Sequence, residues 1–261
     1  MQSSFVTVQG RRLEYRRIAA TRPVTPTLVF LHEGLGSVSL WRDFPDRVAQ
    51  ATGCAAVVYS RYGYGRSDVL ERPHRVDYMH REAREVLPEL LDKLGILDPL
   101  LVGHSDGASI ALIYAADHPV KALIVEAPHV FVEDGNLQSI AAAREAFEST
   151  DLPKRLARHH ADAMKTFYGW NDVWLHPDFK AWNIEDCLPR IACPLLAIQG
   201  LDDEYGTLQQ LAAIERQVRV RVTLVKLEAC GHSPHRDQPS RVLSAMTDFV
   251  RRVTGQKASA A

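Results

Sequence analysis

Short, uninterrupted apolar runs recur along this chain, each parted from the next by a stretch of helical spacing, and no other feature restricts the fold as much. The runs are Thr27 to Leu31, Ala55 to Tyr59, Leu100 to Val102, Ala122 to Val125, Leu195 to Ile198 and Val222 to Leu227. Continuous rather than alternating apolarity marks strands covered on both faces. Between them, apolar residues return every three or four positions over Trp41 to Ala51, Tyr78 to Leu94, Ala108 to Asp117, Thr207 to Val218 and Ser240 to Val253, which predicts helices. Strand–helix alternation implies a doubly wound, mostly parallel α/β sheet with right-handed crossovers. Ahead of it, alternating residues on either side of Gly10-Arg11, from Ser4 to Ile18, predict an antiparallel hairpin.

One segment breaks the rhythm. Between Phe131 and Leu188 no strand-like run occurs, and helical patterns cover Leu137 to Phe147, Leu152 to Phe167 and Trp170 to Trp182. An insertion of that length is too long for a structureless loop and reads as a small helical cap between two strands. The expected division is a core of residues 1–130 and 186–254, a cap of 131–185, and a disordered tail of 255–261.

With 261 residues, 46% of them apolar, the chain has enough material for one sizeable core and is composed like a globular protein. Its 31 basic and 32 acidic residues leave a formal charge of −1, which gives no electrostatic reason to expect nucleic acid or an anionic membrane as partner. Residues Met1 to Gly10 do not resemble a signal peptide and no apolar run is long enough to insert in a bilayer, so a cytoplasmic protein is expected. Cys54, Cys187, Cys193 and Cys230 are scattered, without zinc-ligand spacing, and are read as reduced and buried. His159-His160 invites a metal, but adjacent helical residues point in different directions.

The strongest local signal is Gly103-His104-Ser105-Asp106-Gly107, a G-x-S-x-G pattern where a buried strand meets a helix. So sharp a turn strains the serine backbone and holds Ser105 clear of the sheet. The following helix aims its first amides, that of Asp106 foremost, at any negative charge developing there. A serine hydroxyl needs a base. His232 stands in the loop directly after the last strand, at the carboxyl edge, and is preferred to His235, three residues further on. The imidazole needs a carboxylate in turn, and Asp202, Asp203 and Glu126 all follow buried strands. The loop Leu31-His32-Glu33-Gly34-Leu35-Gly36-Ser37 allows close backbone approach, and its Gly34 amide is the expected second oxyanion donor. Neither this loop nor Gly63-Tyr64-Gly65-Arg66-Ser67 has the spacing of a phosphate-binding motif, and the latter reads as structural.

These pieces together resemble the α/β-hydrolase superfamily from the first hairpin to the last helix. The order Ser105, Asp203, His232 is similar to that superfamily's nucleophile, acid, histidine order, and the resemblance selects Asp203, three residues after the strand-closing Gly200. Some dehalogenase-like members take the acid from the strand of Glu126, which keeps that rival open. The aspartate nucleophile of epoxide hydrolases and haloalkane dehalogenases is replaced here by Ser105. The superfamily's oxyanion loop more often begins His-Gly; Glu33 in place of that glycine is a departure that either selects an amino-bearing substrate or holds the loop. The cap aromatics Phe167, Tyr168, Trp170, Trp174 and Trp182, with His129 and Phe131 at the entrance, are expected partly as packing and partly as pocket roof; Glu33, His129, Phe131, Trp170 and Trp174 are the pocket candidates. The resemblance implies a serine hydrolase for a small to medium, largely apolar carboxylic ester, acting through an acyl-enzyme with no cofactor or metal. A thioesterase, amidase, aminopeptidase or acyltransferase would use the same residues; a slow-turnover small-molecule receptor and a cofactor-free lyase or carbon–carbon hydrolase are the alternatives of other classes.

Overall fold

A computed structural model describes residues 3–23 and 26–255. Of the tail expected over 255–261, all but Gly255 lies outside the described residues. The eight strands are β1 (Ser4–Val8), β2 (Arg11–Ile18), β3 (Thr27–Leu31), β4 (Ala55–Tyr59), β5 (Pro99–His104), β6 (Ala122–Glu126), β7 (Leu195–Gly200) and β8 (Val222–Leu227). They form one sheet in the order β1-β2-β4-β3-β5-β6-β7-β8. The β1–β2 and β2–β4 pairs are antiparallel and every later pair is parallel. The chain is thus an α/β protein with a doubly wound sheet.

Both faces of the sheet are covered. Val29, Leu31, Leu101 and Val125 pack under the helical segment from Tyr78 to Lys93 and the elbow helix Asp106–Asp117. Leu28, Phe30, Val102 and Ile124 pack under Phe44–Thr52 and Pro239–Thr254. Each β5 residue is buried, as befits a central strand flanked by helices on both faces. β8 departs from that pattern. It is the last strand of the sheet and most of it is only half-buried, because an edge strand has one neighbour to cover it. The helix expected over Tyr78 to Leu94 is interrupted by one π-helical stretch, Glu82–Val86.

The segment between β6 and β7 holds helices Asp134–Ser149, Leu152–Leu156 and Ala163–Trp174, a 3₁₀ turn Pro177–Ala181, and one isolated bridge, Phe131 with Asn183. The helices expected over Leu152 to Phe167 and Trp170 to Trp182 are divided differently. The chain leaves the helix after Leu156 because His160 and Ala161 turn to the sheet side: the Gly65 N–H donates to His160 Nδ1 (3.0 Å) and the Ala161 N–H to the Gly65 carbonyl (2.8 Å). Asp162 then caps a new helix by accepting from the Lys165 N–H (3.0 Å). That helix runs through Gly169, where a Cβ would stand 2.7 Å from Leu70. The loop Gly63 to Ser67 is therefore the anchor of the insert, an anchor strengthened by Thr166 Oγ1 donating to the Gly63 carbonyl (2.6 Å).

His160 also donates through Nε2 to the Leu35 carbonyl (3.0 Å), so its ring must be the neutral tautomer with a bare Nδ1. Burial pushes its pKa down to about 4. An unfolded histidine binds a proton near 6.5 and the folded one does not until about 4, so the stability from this contact is complete above 6.5 and falls as pH drops through that window. His160→Asn, which can still accept from Gly65 but does not titrate, should flatten the loss of unfolding free energy between pH 6.5 and 4 by up to about 3 kcal/mol. Denaturant titrations of both proteins across that range check this; parallel pH profiles would sink it.

Candidate active site

Ser105 sits between the end of β5 and the start of the elbow helix with φ 54° and ψ −117°, a region L residues avoid. Such strain costs of order 1–3 kcal/mol and persists only where the surroundings force it. Here the forcing is visible. The Ser105 N–H donates to the Glu126 carbonyl on β6 (2.9 Å). A Cβ on Gly107 would lie 2.1 Å from the Leu31 carbonyl oxygen, so only glycine lets the helix start this close to β3. The Asp106 side chain turns inward, accepting from Tyr78 Oη (2.6 Å) and lying 3.6 Å from Arg61 Nη2. Burial raises its pKa and the Arg61 charge opposes that rise. Its amide, at the first position of the helix, has no intrahelical acceptor.

His232 Nδ1 donates to Asp203 Oδ1 at 2.8 Å. The Asp203 carboxylate is 1% exposed and accepts also from the Tyr205 N–H (2.9 Å) and Gln199 Nε2 (3.2 Å). Burial works against its charge, but the bond and charge of His232 outweigh this and hold its pKa below the ordinary carboxylate range. The rival acids lie elsewhere. Asp202 is exposed. Glu126 accepts from both the backbone N–H and Nδ1 of His235, each at 3.0 Å, in a pair with almost no exposure. His235 thus already has its own carboxylate, and its ring packs against Trp41 and Phe44, away from the cavity lining.

The loop after β3, from His32 to Gly36, is fixed by donors behind it. The Glu33 carbonyl accepts from His32 Nδ1 (2.7 Å), Arg61 Nη2 (3.1 Å) and the Gly36 N–H (3.0 Å). A trans peptide points its N–H opposite its carbonyl, so these three bonds direct the Gly34 N–H away from Arg61. Gly34 itself lines the cavity, with the Trp170 indole nitrogen 2.0 Å from where a Cβ would be. His32 accepts the Arg61 N–H at Nε2 (3.1 Å) and donates from Nδ1, which makes it neutral; burial and Arg61 keep its pKa well below the usual histidine range.

Ser105, Asp106, His232, Gly34, Glu33, His129, Trp170 and Trp174 share the wall of one cavity of about 170 Å³. Phe131 does not. It is held in the bridge to Asn183, facing the core at the base of the insert, and is corrected from pocket to packing. Leu35, His104, Asn136, Ile140, Tyr205, Ser233 and Arg236 complete the lining and were not anticipated. Asn136 and Ile140 could have been found one helical turn apart on the first helix of the insert; Tyr205, in a loop, and Arg236, in the short helix Pro234–Asp237, carry no local signal, since such segments acquire their direction from the fold. His129 stacks on His232 with ring centroids 5.6 Å apart, and burial with the neighbouring His232 lowers its pKa to about 3, so it is neutral. Among the described residues no cluster of three or more His, Cys, Asp or Glu could hold a metal ion, and His159 and His160 bond to Ser39 and the Gly65 loop instead. All four cysteines are buried. Among those residues, too, no helix is long and apolar enough to cross a membrane.

Comparison with known proteins bears on the family. Residues 28–245 match the model of the alpha/beta hydrolase family. A proline iminopeptidase of Lactobacillus helveticus is 32% identical over 278 residues, covering 90% of this chain and 93% of its own. An sn-1-specific diacylglycerol lipase of Mus musculus is 27% identical, covering 86% and 81%. Among solved structures, an esterase from Exiguobacterium antarcticum has a TM-score of 0.74 at 18% identity, covering 96% of this chain and all of its own. A family match over this much of the chain, carried by the same sheet, places the protein among the α/β hydrolases.

Proposed function

We propose that this hydrolase cleaves carboxylic esters of short, largely apolar acyl groups, with Ser105 as nucleophile, His232 as general base and Asp203 as the carboxylate that orients it. The observation that carries this reading is the 2.8 Å Asp203–His232 bond on the wall of the same cavity as the strained Ser105. In this mechanism Ser105 Oγ adds to the ester carbonyl as His232 Nε2 takes its proton. The carbonyl oxygen, now negative, is met by the amides of Gly34 and Asp106. Collapse expels the alkoxide, which receives the proton from His232, and water then repeats the sequence on the acyl-enzyme. Asp203 keeps Nδ1 protonated, leaving Nε2 bare for the serine. The insert 131–185 acts as a cap that roofs the site through Asn136, Ile140, Trp170 and Trp174.

The iminopeptidase relative raises the reading of an amino-terminal peptidase, for which Glu33 would anchor the substrate ammonium. Glu33 is ionised, but Arg236 Nη2 donates to Oε1 (3.2 Å) and His104 faces Oε2 (3.6 Å). Asp106, the other carboxylate among the described lining residues, turns inward, with Oδ2 on Tyr78 and Arg61. Because Glu33 already faces Arg236 and His104, and Asp106 faces Arg61, an ester is favoured over an amino-terminal peptide. A cavity of about 170 Å³ is small against the roughly 300–1,000 Å³ of drug-sized sites, which points to short acyl chains.

On p-nitrophenyl butyrate, Ser105→Ala and His232→Ala should lower kcat by at least 10³-fold and Asp203→Asn by roughly 10³–10⁴-fold, whereas Glu126→Gln should cost stability with activity within a few-fold. Unchanged turnover in Ser105→Ala would end the mechanism, and a collapse at Glu126 rather than Asp203 would move the acid. Activity should fall steeply beyond short acyl chains. Trp170→Ala, which opens the space over Gly34, should move the preferred ester to longer chains by two or more carbons; an unmoved preference would place the acyl group elsewhere.

A further inference from the structure

A third carboxylate–histidine pair, beside Asp203–His232 and Glu126–His235, touches all three loops of the site. Glu33 belongs to the oxyanion loop, His104 to the nucleophile turn, and the acceptor of His104 Nε2–H is the main-chain carbonyl of His232 at 2.7 Å. We propose that Glu33 and His104 are a positioning pair, with His104 held as an imidazolium, that locks the backbone of His232 to the nucleophile turn and the oxyanion loop.

The charge state follows from geometry. A carbonyl can only accept, so His104 Nε2 carries a proton. Nδ1 lies 3.6 Å from Glu33 Oε2 in a site from which the ring is wholly excluded from water. A bare lone pair facing a carboxylate there would be repelled with no solvent to screen it, so Nδ1 is protonated too. Burial opposes that charge, and the Glu33 carboxylate, with the more distant Glu126, overcomes it and raises the His104 pKa. Glu33 stays ionised against its own burial through His104, Arg236 and His32. Room for this carboxylate depends on Gly36, where a Cβ would lie 2.3 Å from Glu33 Oε2.

The rings of Trp41 and His235 close on His104 from its remaining sides, with centroids 6.3 and 5.1 Å away, so it has little freedom to turn. Arg236 holds the other end by donating both to Glu33 Oε1 (3.2 Å) and to the Leu40 carbonyl (3.1 Å). Since Arg236 follows His232 by four residues, the pair grips the histidine loop at two points. Asp203 orients the imidazole of His232; Glu33 and His104 orient its backbone.

Two measurements on the full chain test this. First, NMR of protein with nitrogen-labelled histidines should find both His104 nitrogens protonated at pH 6, and Glu33→Gln should remove one proton there; a singly protonated His104 in the wild type at that pH overturns the pair, whatever the substrate. Second, and resting on the serine-hydrolase reading, His104→Ala should lower kcat roughly tenfold with KM little changed. His104→Gln, whose amide can donate to the His232 carbonyl, should recover most of that loss. A glutamine no better than alanine overturns the proposal. A wild type that neither turns over esters nor is labelled at Ser105 by a fluorophosphonate removes the reading of the function and leaves the NMR result to decide the pair.

Discussion

Arg61 carries a charge with almost no access to water, and the geometry of the site is arranged around satisfying it. Its guanidinium donates to the carbonyls of His32 (2.6 Å) and Glu33 (3.1 Å), lies 3.6 Å from the Asp106 carboxylate and packs over the Tyr64 ring with 4.8 Å to the centroid. A buried cation is tolerated only when its protons are taken up and its charge is answered. Here the acceptors are the backbone of the loop after β3 and the side chain of the residue after Ser105. The requirement of one side chain therefore sets the direction of both proposed oxyanion amides. Removing it would take the counter-charge from Asp106 and a donor from each of the His32 and Glu33 carbonyls in a dry site, a cost beyond the loss of any single bond.

Histidines show how strongly burial and partners divide one residue type. His32, His129 and His160 are buried against amides, rings or a guanidinium and are neutral. His104 is as fully buried but faces a carboxylate, and its pKa moves the other way. Desolvation alone predicts one direction for all four; the nearest charge decides which of them departs from it.

The helical insert is part of the same structure and not an appendage. His160 bonds at once to the Gly65 loop and to Leu35 in the loop after β3, and the Trp174 indole donates to Tyr78 Oη (3.1 Å), which itself donates to Asp106. The insert, the loop after β3 and the Ser105 turn are thereby coupled through side-chain bonds of ordinary length. Small displacements of the insert are felt at the amides that would hold the oxyanion, since packed interiors transmit strain.

The sheet was legible in the sequence because continuous apolar runs have no other stable placement than between two layers of helices, and the sharp turn at Ser105 was legible because Gly103 and Gly107 bracket it where a strand becomes a helix. Short-range patterns of that kind follow from local sterics and burial. Pairing across the molecule does not. Two histidines three residues apart and three acids at strand ends permit several matches of equal chemistry. Residue types and spacing cannot choose among them; only the close approach of β7 and β8 brings Asp203 to His232, and only the extended end of β6 brings Glu126 to His235. The same holds for Glu33, an oddity in its loop until the folded chain sets His104 and Arg236 beside it, and for Phe131, which a bridge to Asn183 turns away from the cavity. Local composition determined which chemistry the chain can hold. The tertiary structure alone decided which groups meet, because hydrogen bonds and ion pairs act over a few ångströms and the sequence separates their partners by up to two hundred residues.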